Sequence, residues 1–136
     1  MSDATKILTD KAPAPAGHYS QAVRSGSQLY ISGQLPIRPD GEALPDDSIE
    51  TQARQAIANM LAILAAAGGK PDDLVRVTAY IVGVANWPRF NAVYAAMLPD
   101  ARPARTVVPV PELHFGYLVE VDAIATLPCA GHVPSA

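Results

Sequence analysis

Apolar and polar positions along the chain follow two rhythms. In the first, Ile49, Ala53, Ile57, Met60, Leu61 and Leu64 recur at the spacing of one helical face. Asp47 is the expected N-cap of this helix, with Glu50 three residues on, an aspartate version of the capping box. Gly68-Gly69 ends it and Pro71 follows. A second helix is expected from about Trp87 to Leu98, with Asn86 as N-cap, Pro88 in the first turn, and Phe90, Val93, Tyr94 and Met97 as its stripe. The second rhythm is that of strands. Leu74 to Val82 is rich in Val, Thr, Tyr and Ile, and further strands are expected at about Ala104 to Val110 and Tyr117 to Thr126. Gln21 to Arg24 and Gln28 to Ser32 flank Ser25-Gly26-Ser27, a hairpin with Gly26 at positive φ. Pro36 to Pro45 is a loop with a turn at Pro39-Asp40-Gly41. The first 16 residues, including the Pro/Ala stretch Lys11 to Ala16, are expected to be an extended tail, and Cys129 to Ala136 a loose end.

The order β-β-α-β-α-β-β predicts an α/β chain of the α+β kind, a two-layer sandwich of one sheet and two helices. Along the last strand Val119, Val121, Ala123 and Ala125 point one way, and Leu118, Glu120, Asp122 and Ile124 the other. The helices cover one face. The other keeps Leu118 and Ile124 and needs partial cover, expected from other subunits.

Composition narrows the class. The 136 residues are expected to form a single domain, 1–136, with an ordered core over about 12–127. With 49% hydrophobic and 17% charged residues, a disordered chain is excluded. The longest apolar run, Met60 to Ala67, is far short of the ~20 residues that span a bilayer, so no membrane role is expected. The N-terminus carries Asp3, Lys6, Asp10 and Lys11 without an apolar secretory segment, which with the lone Cys129 predicts a cytoplasmic protein without a disulfide framework. A net charge of −3 argues against a nucleic-acid partner.

His18, His114 and His132 lack the pairing of a zinc motif, and no phosphate-binding glycine loop or nucleophile elbow is present. General acid–base or electrostatic chemistry remains. Arg105 opens a strand of Thr, Val and Pro and shares a face with Val107. A guanidinium beside an apolar face calls for an anion, and its planar fork suits a carboxylate; spacing alone favours an internal salt bridge or an edge-strand arginine reaching water, because structural ion pairs outnumber ligand-binding ones. Glu120 sits mid-strand between Val119 and Val121, either held for a purpose or one of the polar face that Asp122 shares. An arginine and a glutamate on adjacent terminal strands could bind an anion and position a water.

Six ordered segments resemble a known family. Gly17-His18-Tyr19-Ser20-Gln21-Ala22 is similar to its G-P-Y-S-Q-A opening, and Tyr30-Ile31-Ser32-Gly33-Gln34-Leu35-Pro36 to its S-G-Q strand. Gln52 to Gly68 resembles its first helix, Phe90-Asn91-Ala92-Val93-Tyr94 matches at Asn and Tyr, and Pro103-Ala104-Arg105 and Val119 to Ala125 match its last two strands. The family is that of the RidA/YjgF imine deaminases, also called endoribonuclease L-PSP or translation inhibitors, and the resemblance covers about residues 12 to 127. It implies a chorismate-mutase-like fold and a homotrimer with a barrel-like core and three inter-subunit clefts. It implies hydrolysis of reactive enamine/imine intermediates, the 2-imino acids, to 2-keto acids and ammonia. By the same resemblance Arg105 binds the substrate carboxylate, Glu120 places or activates the water, and Tyr19, Ser32, Gly33 and Asn91 line the pocket. An iminium carbon is already electrophilic, so no cofactor and no metal are expected.

Three departures bear on the substrate. His18 stands where the family usually has proline, and Val107 where its deaminases often have cysteine. Leu113-His114-Phe115-Gly116 replaces L-P-K-g, so a basic rim becomes aromatic, which favours a larger or more aromatic imino acid, or a different ligand; His114 is equally a turn residue before Gly116. Two other functions compete: a non-catalytic binder of small carboxylic acids using Arg105, and an endoribonuclease. The segment Asp40 to Glu50, with five acids and no base, disfavours RNA docking.

Overall fold

A computed structural model describes residues 4–128. Three strands open the chain, β1 (Ala4–Ile7), β2 (Ala22–Ser25) and β3 (Gln28–Gln34). Helix α1 (Ile49–Ala66), β4 (Leu74–Val82), α2 (Trp87–Met97), β5 (Ala104–Val110) and β6 (Val119–Thr126) follow. The two-layer sandwich is present: one six-stranded sheet of order β1-β2-β3-β6-β4-β5, with both helices on one face. From β2 onward the element order is the expected one.

The strand β1 was not expected. Ala4–Ile7 is no tail but pairs antiparallel with β2, Ala4 opposite Ser25 and Ile7 opposite Ala22. Its side chains are largely exposed, so no apolar alternation marks it. What holds it is backbone pairing, together with a buried amide further along. Gln21 accepts from the Thr9 N–H (2.7 Å) and donates to the Thr9 and Pro13 carbonyls (3.0 and 2.9 Å). The reading of Cys129 to Ala136 lies outside the described residues.

The β2–β3 hairpin turns at Gly26 with φ 61°, as expected. Helix α1 starts one residue later than the capping pattern indicates. Ser48, not Asp47, is the N-cap: its Oγ accepts from the Thr51 N–H at 3.1 Å. Glu50 does not reach back, because Arg89 of α2 takes both its oxygens at 2.6 and 2.9 Å. Asn86 stands before α2 as expected, but its side chain donates to the Val82 carbonyl instead of capping.

β4, α2 and β5 form a parallel crossover, and β6 returns antiparallel into the gap between β3 and β4. Val119, Val121, Ala123 and Ala125 of β6 are buried beneath the helices, beside Val77, Ala79 and Ile81 of β4 and Ile57, Met60, Ile63 and Leu64 of α1. The opposite face is half-buried at Leu118, Glu120, Asp122 and Ile124, with Tyr30 and Val75 exposed. This is the division of faces that the alternation along β6 predicts. Among the described residues no helix is long and apolar enough to cross a membrane.

Candidate functional site

A groove of about 1100 Å³ opens where the end of the N-terminal segment, the end of β3 and the turn before β6 meet. Tyr19, Ser32, Gly33, His114, Phe115 and Glu120 all line it. A bulge in β3 makes its floor. Ile31 pairs with Ala123 and Gln34 with Val121, so Ser32 and Gly33 together oppose one residue of β6. The Ser32 hydroxyl donates to the Ser20 carbonyl at 2.6 Å, tying the bulge to the segment that carries Tyr19. Gly33 leaves room for the carboxylate of Glu120: a Cβ there would stand 2.7 Å from Glu120 Oε2.

Glu120 makes no hydrogen bond or ion pair with another described residue. Burial pushes its pKa up, the Asp122 carboxylate on the same face adds to that, and His114 pulls it back down. A carboxylate with free lone pairs and raised basicity is suited to take a proton from water.

Three buried amides hold the groove walls, and none was singled out for a role from the sequence. Gln21 fixes the segment that ends at Pro13. Asn59 of α1 donates to the Leu35 and Ile37 carbonyls at 3.2 and 2.8 Å. Gln52 accepts from the Leu118 N–H at 2.8 Å, just where β6 begins. The signal was present: Gln52 and Asn59 sit on the face of α1 that Ile49, Ala53, Ala56 and Ile63 bury, and a buried amide needs partners.

Arg105, Asn91 and Val107 lie elsewhere. The expectation that Arg105 and Glu120 occupy adjacent strands is corrected: β4 stands between β5 and β6. Arg105 is opposite Val77 on the helix-covered face, whereas Glu120 is opposite Tyr80 on the other. Within one chain they cannot share a ligand. Arg105 donates to Asn91 Oδ1 at 2.8 Å, and its guanidinium lies 4.8 Å from the centre of the Tyr94 ring. Among the described residues no carboxylate pairs with it, so the internal salt bridge does not exist and most of its donors are unused. Val107 is buried two residues along on the same face. His18 is exposed and does not line the groove.

The family model described as Endoribonuclease L-PSP matches residues 9–127. A RutC family protein of Pyrococcus horikoshii is 40% identical over 119 residues, covering 88% of this chain and 94% of that protein. The 2-iminobutanoate/2-iminopropanoate deaminase of Dermatophagoides farinae is 35% identical over 127 residues, 93% of this chain and 99% of that one. Among solved structures, E. coli TdcF with bound serine superposes with a TM-score of 0.84 at 33% identity, covering 91% of this chain and 99% of the other.

Proposed function

The chain belongs to the endoribonuclease L-PSP family, the RidA/YjgF proteins, and on that premise we propose that it hydrolyses reactive 2-imino acids to 2-keto acids and ammonia. The observation that carries the reading is the unpaired Glu120 carboxylate packed on Gly33 at the floor of a groove. The guanidinium of Arg105, which no carboxylate among the described residues pairs and whose one hydrogen bond goes to Asn91, supplies the second half. Because the two lie on opposite faces of one sheet, a complete site needs two copies, with Arg105 of one chain entering the groove of the next.

The reaction follows from those two groups. Arg105 holds the substrate carboxylate through paired N–H donors and so fixes C2. Glu120 takes a proton from water as the water oxygen bonds to C2 of the C=N group, and the π pair moves onto nitrogen. The proton passes from Glu120 to the nitrogen. Glu120, a carboxylate again, takes the proton of the C2 hydroxyl and passes it to the nitrogen, and the C2–N bond breaks as the C=O forms, so that ammonia leaves, a 2-keto acid remains and Glu120 is returned ionised. Orienting the reactants supplies several kcal/mol of the rate enhancement. The direct test mixes the protein with a serine/threonine dehydratase and follows keto-acid release. Faster release supports the reading, and an unchanged rate, with no acceleration either for the larger imines that an L-amino-acid oxidase generates, refutes it.

The two-copy site also predicts the assembly. A homotrimer, as the family resemblance implies, places each half-exposed sheet face, with Tyr30, Val75 and Ile124, inside a barrel-like core. Light scattering is expected to give about three times the 14.3 kDa chain mass. A stable 14.3 kDa species at micromolar concentration would overturn it.

A further inference from the structure

Phe115 is the one non-glycine described residue at positive φ, 60°, and the residue is 72% exposed. For an aromatic residue this backbone conformation is a true outlier and costs stability. A residue so exposed returns little of that through burial in its own fold. The turn is nevertheless well defined: Gly116 N–H donates to the Leu113 carbonyl and Tyr117 N–H to that of His114, both at 3.2 Å. His114 and Tyr117 stand edge-on to the Phe115 ring, with centroids 4.6 and 6.2 Å away. The strained conformation therefore presents a fixed aromatic surface at the mouth of the groove.

Tyr19 lines the same groove, 51% exposed, its oxygen pinned by the Ala16 N–H at 3.2 Å. Apolar wall is also supplied by Pro13, Leu35, Ile37 and Leu113. The rim and the reacting end share one groove, since His114 and Phe115 line it together with Glu120. A three-carbon imino acid held at C2 would leave this aromatic and apolar wall in contact with water.

Resting on the deaminase reading, we propose that the groove selects 2-imino acids with a large apolar side chain, aromatic ones best, and that Phe115 is the specificity-determining residue. The substrate ring packs against Phe115 by the offset or edge-on contacts that aromatic pairs favour.

An L-amino-acid oxidase generates the imines of phenylalanine, leucine and alanine in turn, and keto-acid release is followed with and without the full chain. The wild-type protein is expected to show a higher kcat/KM for the phenylalanine-derived imine than for the alanine-derived one. Phe115→Gly, which suits the positive φ and so favours folding, is expected to lower the ratio of those two kcat/KM values about tenfold, with Phe115→Leu in between. A purely structural role would move both values together and leave the ratio unchanged, which overturns the proposal. So does a wild-type profile that falls steadily from the alanine-derived imine upward; both outcomes leave deaminase activity standing. No acceleration with any imine refutes the deaminase reading, and this proposal with it.

Discussion

Arg105→Ala is expected to abolish imine hydrolysis while the chain stays folded. The guanidinium sits at an edge strand, half-exposed, with one hydrogen bond to Asn91 and a face on Tyr94. Removing it costs the fold about 0.5–1 kcal/mol of cation–π attraction and the one exposed hydrogen bond to Asn91, a modest fall in melting that leaves the chain folded. The loss to catalysis is far larger. Hydrogen bonds to charged groups contribute about 1.5–3 kcal/mol each, and a bidentate carboxylate loses two. At about 1.4 kcal/mol per tenfold, kcat/KM falls by at least a hundredfold. Arg105→Lys recovers little, because a single ammonium cannot make the paired contact. Circular dichroism checks the fold and keto-acid release the activity. A near-wild-type rate in Arg105→Ala would place the carboxylate anchor elsewhere.

Glu120→Gln is expected to lower kcat by about 10²–10⁴ with little change in KM. The amide keeps the shape that fits against Gly33 but takes no proton from water. The pH profile carries independent information. Burial, then Asp122, holds the Glu120 pKa above the ordinary carboxylate range. The base works only when ionised, so the rate falls as pH drops through that raised value. Asp122→Asn removes one of the two raising influences and is expected to move this acid limb to lower pH. Stability runs the other way: a carboxyl whose folded pKa is raised binds its proton more tightly folded than unfolded, so its ionisation disfavours the fold as pH rises. An unchanged rate in Glu120→Gln would reduce Glu120 to a strand residue on a half-exposed face.

The groove was partly legible in the chain. The resemblance assigned Tyr19, Ser32, Gly33 and Glu120 to one pocket, the departures added His114 and Phe115, and all six line the same groove. His18 belonged to the same argument yet lies outside it, because adjacency to Tyr19 in sequence does not fix where an exposed side chain points. The amides of Gln52 and Asn59 are marked by their place on the apolar face of α1, but the partners of all three amides, Gln21 included, are backbone groups, which no residue type announces.

Residue spacing alone determined the helices Ile49–Ala66 and Trp87–Met97, the strands Leu74–Val82 and Ala104–Val110, and the two faces of β6. Periods of 3.6 and 2 are local, and each residue's side within its own element follows from them. Strand order is not local. That β4 separates Arg105 from Glu120, and that the helices cover one of these residues and not the other, emerged only when the crossover and the returning strand were paired. The same holds for β1, whose exposed side chains carry no pattern and whose strand exists because β2 offers backbone partners. Partners distant in the chain decide these features, and the physical reason is that backbone hydrogen bonding is blind to side-chain identity.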